Sequence, residues 1–329
     1  MEDVAVLSTT VGTGTASVPS LDLTVVILTR NEEIHIERAI QCLSNLGAEV
    51  LIVDSYSTDA TVHLASKMGA RVVQNAFVTQ AEQFIWALSN GEISTQWIMR
   101  LDADEVCGED LITNIKSSLQ GAPSSVVAFS FNRRHIFLGK WIRFGGRYPM
   151  NLTRIWRKGS GTVEDRLMDE HVTVWGGRVV PLRGYFADEN LHGIVHFTKK
   201  HADYAAREVA QMFRRDLIDE SSAAPHSSGA APSQARSKRA IKAALYDRLP
   251  FWVSSSLYFA YRYFFQLGIF DGIRGLIYHF LQGYWYRFLV GAVESEVRLA
   301  MEAASHTEEK IRIVEAITGY VIRPHKFRC

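Results

Sequence analysis

The sequence has little of several things that would narrow its class at once. It holds three cysteines, Cys42, Cys107 and Cys329, in 329 residues, with no paired or metal-ligand spacing. Neither a disulfide framework nor a zinc module is indicated, and the usage fits a reducing compartment. It has no excess of either charge: 36 Lys and Arg against 35 Asp and Glu leave a net +1, which offers nucleic acid no global electrostatic address. No apolar run approaches the ~20 residues that a membrane-spanning helix needs. The first twenty residues lack a basic start followed by an apolar core, so no secretory signal is read there and a disordered tail is expected over 1–20. No G-x-G-x-x-G follows the first expected strand and no G-x-x-x-x-G-K-[ST] occurs. That speaks against a Rossmann dinucleotide site and against a P-loop.

What is present begins with a composition 47% apolar, that of a folded chain forming one large domain or two. Leu23 to Thr29 (LTVVILT) is a near-continuous β-branched run, as expected of a buried parallel strand. Asn31 is placed to cap a helix carrying Glu32 and Glu33 in its first turn, with Ile36, Ile40 and Leu43 as its buried stripe. Val50 to Val53 reads as a second strand ending on Asp54, and Ser57 or Thr58 as the cap of a second helix that closes at Met68-Gly69. Arg71 to Val73 is a third strand, and Thr79 with Glu82 has the spacing of a capping box. Strands alternating with helices of this length specify βαβ units and a mostly parallel sheet.

The stretch on which the rest depends is Gln96 to Glu105 (QWIMRLDADE), a short apolar run that ends on three carboxylates. At the carboxyl end of a strand, Asp102 and Asp104 at i, i+2 are expected to project the same way. Two hard oxygen donors there suit Mg²⁺ or Mn²⁺, with substrate phosphates completing the shell. Ligands of open α/β sheets occupy the crevice beyond such strand ends. Thr29 to Glu32, Asp54-Ser55 and Asp102 to Asp104 thus carry polar groups toward one crevice, which suits a nucleotide.

VVILTRNEE, VDSYSTDATVHLA and LDADE, in that order, resemble the nucleotide-sugar-binding half of family 2 glycosyltransferases, which have the GT-A fold. The resemblance implies that Thr29, Asn31 and Glu32 line a nucleoside pocket and that Asp54 contacts the base. It implies that Asp102 reaches the ribose or the metal and that Asp104 holds the metal on the diphosphate. Tyr56 stands where the family usually has Gly, in a turn where a Tyr tolerates positive φ poorly. FLGKWIRFGGRYPMNLTRIWRKG (137–159), the D-R-x-M-D-E-H segment at 165–171 and FDGIRGL (270–276) resemble a narrower branch that extends lipopolysaccharide cores, the heptose glucosyltransferase group among them. From that branch follows an inverting transfer with a general base in an acidic pair, Asp169 or Glu170, with Asp169 favoured. His171 is a candidate metal ligand or a partner of the leaving diphosphate; His192 and His196 are weaker candidates. Arg147, Arg154 and Arg157 are candidates for the diphosphate or for an anionic acceptor. Trp141, Trp156 and Trp175 offer stacking faces to sugars, or core.

The domain division read from this is a GT-A domain over 21–200, divided at residue 105 into nucleotide-binding and acceptor halves. A helix and flexible linker follow over 201–245, the linker being the Ser/Ala/Pro-rich 219–239 stretch. Residues 246–329 form a helical region rich in Tyr, Phe and Trp with interleaved Arg. Such helices, flanked by Arg236, Lys238, Arg239 and Lys242, suit the plane of an anionic membrane surface. The expectation is a metal-dependent transferase moving a hexose from a nucleotide-sugar, with a UDP-sugar favoured. Its acceptor would be a saccharide or glycolipid at the cytoplasmic membrane face, and no nucleic acid is involved. A polyprenyl phosphate is the alternative acceptor. Two readings from other classes are a nucleotidyltransferase, which would need a basic phosphate loop where only Arg30 stands, and a non-catalytic membrane adaptor.

Overall fold

A computed structural model of the chain describes residues 21–164, 171–219 and 249–322. A nine-stranded mixed sheet organises the first two hundred residues. Its first half is built from β1 (Leu23–Thr29), β2 (Glu49–Asp54), β3 (Arg71–Gln74) and β4 (Trp97–Asp102), in the spatial order β3-β2-β1-β4 and all parallel. The register places Thr29 beside Asp54, and Leu28 beside Asp102. Three carboxyl-terminal strand ends therefore arrive at one edge. Helices α1 (Ile36–Gln41), α2 (Thr61–Lys67) and α3 (Gln80–Asn90) make the crossovers. β1, β2 and β4 are almost wholly buried because both faces are covered, one by a cluster with α1, the other by a cluster that includes Phe84 of α3 and Trp156.

Beyond β4 the sheet continues through β8 (Asn151–Arg157), β6 (Val126–Phe137), β11 (Arg178–Glu189) and β5 (Glu105–Cys107), with β7 (Lys140–Trp141) paired to β6. β8 runs antiparallel to both β4 and β6, while β11 is parallel to β6. β9 (Gly161–Val163) and β10 (Val172–Val174) form a separate two-stranded ribbon. α4 (Glu109–Gln120) packs against β11, Gly184 fitting where a Cβ would strike the Leu111 backbone.

Of the side chains placed to cap the first three helices, one does so. The Thr79 hydroxyl accepts from the Glu82 N–H at 3.0 Å, as the capping-box spacing requires. Asn31, by contrast, does not cap α1, which starts at Ile36 with His35 before it. Asn31 adopts a left-handed conformation, φ 57°. α2 starts at Thr61, and neither Ser57 nor Thr58 caps it. Asp59 accepts from the Thr61 N–H at 3.0 Å in their place. Ser57 and Asn31 are drawn away from capping because they tie the loops after β1 and β2 together.

After β11 the chain forms α5 (Gly193–Arg214), which runs on as a π-helical turn over Arg215–Asp219. α6 (Phe251–Ala260), α7 (Gly272–His279), α8 (Tyr286–Met301) and α9 (Thr307–Thr318) complete a helical bundle. α6 continues into a π-helical turn, Tyr261–Phe265, and α7 into another, Phe280–Trp285. The bundle has its own core, with Val209 and Phe213 of α5 packed against Val290, Val297 and Val314. Among the described residues no helix is long and apolar enough to cross a membrane.

The FDGIRGL segment fastens this bundle to the sheet. Asp271 is 2% exposed, and its two oxygens accept from the backbone N–H of Arg143 at 3.1 Å and of Phe144 at 3.0 Å. His279 lies beneath it, fully buried, 3.4 Å from Asp271 Oδ2. Gly145, at φ 65°, faces the His279 ring so closely that a Cβ there would lie 2.2 Å from Cε1. The motif singled out in the sequence is thus a clamp between α7 and the 143–145 loop.

Candidate active site

The strand ends of β1 and β2 are laced into one loop pair. Asp54 is fully buried, and its carboxylate accepts from the Thr29 hydroxyl at 3.0 Å, the Ser57 N–H at 2.8 Å and the Gln74 amide at 3.1 Å. The Asn31 N–H donates to Ser57 Oγ at 2.8 Å, and Asn31 Oδ1 accepts from the Thr58 N–H at 2.8 Å. The Glu32 N–H donates to Thr61 Oγ1 at 2.8 Å. Thr29 and Asp54 therefore form the floor that fixes the turn, while Asn31 and Glu32 remain at the rim, exposed and half-buried. Tyr56 occupies φ 55° and is 59% exposed. The turn keeps the geometry a glycine would give, at a backbone cost, and presents a phenol ring at the mouth.

Asp102 ends β4, but Asp104 does not share its strand face. Ala103 and Asp104 form a turn into β5, which corrects the expectation that both carboxylates project together from one strand. Asp102 is drawn toward two guanidiniums, Arg100 Nε at 3.4 Å and Arg154 Nη2 at 3.7 Å. Burial alone would raise its carboxyl, but those arginines outweigh it and hold Asp102 below the ordinary value. Asp104 turns toward the end of β11 and receives the Asn190 amide at 3.3 Å. Burial first, then the charges of Asp188, Asp102 and Glu32, push its carboxyl up to about 6, with Lys200 pulling the other way. Asp104 thus lies in a field of acidic charge that Lys200 offsets only in part.

A histidine that the sequence reading passed over stands next to this group. His35 is fully buried, with Nδ1 2.6 Å from Glu32 Oε2 and Nε2 accepting from the Leu191 N–H at 2.9 Å. That arrangement fixes one tautomer, since the nitrogen that accepts from Leu191 leaves Nδ1 to donate. The His192 ring meets His35 edge-on at 5.0 Å and stacks on His196 at 4.2 Å. Glu32, His35 and His192 place ligand atoms within 4.8 Å of one another, a group able to hold a metal ion. The His192 N–H also donates to Asn190 Oδ1 at 3.0 Å, the same side chain that reaches Asp104. Asp104, Glu32 and His192 are therefore connected through one asparagine and one buried histidine. The only signal in the sequence was H-I-E after the Glu pair, too short to separate from a helical turn.

The remaining candidates divide. Arg154 is buried, bound to Glu105 at 2.5 Å and stacked 4.9 Å over Phe186. Arg157 lies over Trp97 and donates to the Val126 and Ala122 carbonyls. Trp156 is core, Trp141 lies under Arg134 and Arg143, and Trp175 is 51% exposed beside the ribbon. His171 is largely exposed, 3.6 Å from Glu164. Asp169 and Glu170, the candidate bases, fall outside the described residues, as do the basic residues of the 219–239 stretch and Lys242.

Beside Asp102 a cleft of about 640 Å³ opens between sheet and bundle. Its sheet wall includes Arg100, Asp102, Arg133, Asn151 and Arg154, with His171 from the ribbon and Arg147 from the clamped loop. Its bundle wall includes Arg207 of α5, Arg262, Gln282 and Arg287. The volume is that of a small-molecule site.

Residues 24–186, about half of the chain, match the model of the glycosyl transferase family 2. Curated relatives include an uncharacterized glycosyltransferase of Rickettsia typhi, 38% identical over 90 residues, which are 27% of this chain and 30% of that protein. A Rickettsia bellii counterpart is 39% identical over the same shares. The match therefore spans under a third of those relatives. Among solved structures, a mannosyltransferase from Pyrobaculum calidifontis in complex with GDP-Man and Mn²⁺ aligns over 86% of this chain and 88% of its own, at TM-score 0.47 and 15% identity. Glucosyl-3-phosphoglycerate synthase from Mycobacterium tuberculosis, with Mn²⁺, UDP and glucosyl-3-phosphoglycerate, aligns over 34% and 43%, at TM-score 0.29 and 23% identity.

Proposed function

Residues 24–186 are a glycosyl transferase family 2 domain, and from that premise we propose that the chain is a metal-dependent, inverting hexosyltransferase. It uses a nucleotide-diphosphate sugar, of which a UDP-sugar is the first to test. The observation that carries the reading is Asp104, a carboxyl pushed up to about 6 by burial and by Asp188, Asp102 and Glu32 at the carboxyl edge of a parallel sheet. Acidic charge that Lys200 offsets only in part is what a divalent cation relieves. Asp104 would hold the ion, with Glu32 and His192 as the further donors nearest to it in the network. Asp102 and His171 are weaker donors, since Asp102 already faces Arg100 and Arg154 and His171 faces the arginine cleft. When bound, the ion neutralises the diphosphate of the leaving nucleotide.

The protein's own groups supply the rest. Asn31, Glu32 and Tyr56 rim the nucleoside side, on a floor held rigid by Thr29 and Asp54. The acceptor hydroxyl enters from the cleft, its oxygen bonds to the anomeric carbon and the bond to the diphosphate breaks on the opposite face. The hydroxyl proton passes to a carboxylate, for which Asp169 is proposed ahead of Glu170.

We assign the acceptor to an envelope saccharide or glycolipid, as in lipopolysaccharide or exopolysaccharide synthesis, reached at the cytoplasmic face of a membrane. Support comes from the bundle, where Trp252, Tyr261, Phe264, Phe265, Phe270 and Ile273 are 52–79% exposed. Singly exposed apolar residues are ordinary, but a run of aromatics on adjacent turns marks an interaction surface. Exposed Arg143 and Arg274, with Lys140 Nζ 3.4 Å from where a Cβ on Gly272 would stand, flank it with positive charge, which suits anionic headgroups.

The test is calorimetric titration of the full chain with UDP, GDP and dTDP, each with and without Mn²⁺. Metal-dependent binding of UDP that disappears in Asp104→Ala is the expected result. If no nucleotide binds in a metal-dependent way, the donor-site reading fails.

A further inference from the structure

The cleft between sheet and bundle is far more cationic than a donor diphosphate requires. Most of its arginines are already matched to carboxylates. Arg154 bonds Glu105 at 2.5 Å, Arg133 lies 3.5 Å from Asp188, Arg207 3.4 Å from Asp203 and Arg287 3.4 Å from Glu208. Two differ. Among the described residues, Arg147 and Arg262 form no ion pair; a buried nitrogen without a partner is left on each, Nε of Arg147 and Nη2 of Arg262, as it is on the paired Arg154 and Arg207, but here no carboxylate meets the rest of the guanidinium. Arg262 is only 4% exposed, yet it lines the cleft. A guanidinium buried with an unmet donor is costly unless something anionic meets it.

These two cations are built toward one place. Arg262 Nε donates to the Gly145 carbonyl at 2.8 Å, which anchors it two residues from Arg147. Gly145 follows Phe144, whose N–H the Asp271 clamp holds; its own N–H donates to the Gln266 carbonyl at 2.9 Å, and the His279 ring packs against it. Arg262 comes from the π-helical turn Tyr261–Phe265, and Gln282 of the same bundle wall comes from the π-helical turn Phe280–Trp285. Wide turns of this kind re-aim side chains and recur at functional sites. The nucleoside rim at Asn31 and Glu32 and the carboxylate of Asp104 do not line this cleft, so its excess charge faces the acceptor side of Asp102.

We propose that Arg147 and Arg262 form a phosphate-binding subsite for the acceptor, so that the acceptor of this enzyme carries a phosphate group. A guanidinium offers paired N–H donors to phosphate oxygens, and two of them meeting between sheet and bundle select a phosphorylated acceptor over a neutral one. The proposal rests on the transferase reading for the word acceptor, but the anion site itself does not. The phosphate belongs either to a phosphorylated saccharide or to a lipid phosphate, and both would present the same oxygens.

The experiment titrates the full chain, without divalent cation, with glucose 6-phosphate, with glucose and with farnesyl phosphate. Mn²⁺ with UDP is titrated separately, and thermal melts check folding. Expected is binding of a phosphorylated probe but not of glucose, weakened about tenfold or more in both Arg147→Gln and Arg262→Gln, with Mn²⁺–UDP affinity unchanged. Preference for glucose 6-phosphate assigns the phosphate to a saccharide, and preference for farnesyl phosphate to a lipid carrier. If both variants lose Mn²⁺–UDP binding alongside the probe, the cleft is the donor's diphosphate site and the proposal is overturned. Absence of phosphate-dependent binding to the native chain overturns it as well, while leaving a positive Mn²⁺–UDP result standing. Anion binding that depends on the arginines, without Mn²⁺–UDP binding, sinks the transferase reading and keeps the anion site. Should Arg262→Gln fail to fold, the half-buried Arg147 carries the test alone.

Discussion

At the scale of single residues the decisive quantity is where charge is left over. Asp102 and Asp104 are two residues apart and the fold treats them oppositely. Two arginines hold Asp102 below the ordinary carboxylate value, whereas burial and acidic neighbours push Asp104 up to about 6. A raised carboxyl means that the native state binds its proton more tightly than the unfolded chain does. The stability this contributes is fully present below the ordinary value of 3.8 and is lost as the pH rises through about 6. In the metal-free protein, with a chelator present, Asp104→Asn should therefore melt higher than the native chain at pH 7.5. The difference should fade as the pH falls below about 4. Melting curves across that range check it, and a variant that is less stable at pH 7.5 would contradict the assignment. Tyr56 is the other telling residue. Its departure from glycine was visible in the sequence, and the structure shows the chain accepting φ 55° regardless.

At the scale of elements the Asp271 clamp is the joint that matters. A buried carboxylate accepting two backbone N–H bonds leaves both donors unmet when it is removed, so Asp271→Ala should cost about 3 kcal/mol. Hydrogen exchange should show the loss first in 143–145 and α7. Protection unchanged in those elements would mean that the joint is made elsewhere. Much of this level could be read in advance. Continuous β-branched runs gave the parallel strands, and Thr79 with Glu82 gave a cap found as expected. Asn31, Ser57 and Thr58 read as caps in the sequence because capping is a local signal, whereas their partners in the structure lie 26 or 27 residues away. His35 was missed for the same reason, since its meaning depends on Leu191, 156 residues on. Arg154 and Arg157 carry the same residue type as Arg147, and nothing local tells which guanidinium finds Glu105 and which finds none.

For the whole molecule, the aromatic run on the bundle gives a prediction independent of chemistry at the sheet. A triple variant, Phe265→Ser, Phe270→Ser and Ile273→Ser, removes three side chains that are 65–79% exposed. Burying such groups in a lipid interface is worth about 1.5–3 kcal/mol each, so sedimentation with anionic vesicles should drop by more than tenfold. Nucleotide binding should stay as it was. Equal sedimentation of variant and native chain would refute the membrane surface.

The cleft itself has no wall that one region of the chain supplies alone. Arg100 and Asp102 come from the early strands, Arg147 from a loop in the middle, Arg262 and Gln282 from turns near the end. Donor chemistry and acceptor choice are thereby separable in inheritance. Replacing the last eighty residues with those of a relative would exchange Tyr258, Arg262, Gln282 and Arg287 of the cleft lining and leave the nucleotide rim untouched. A lineage could change what it glycosylates by recombining one end of the gene, keeping the same activated sugar.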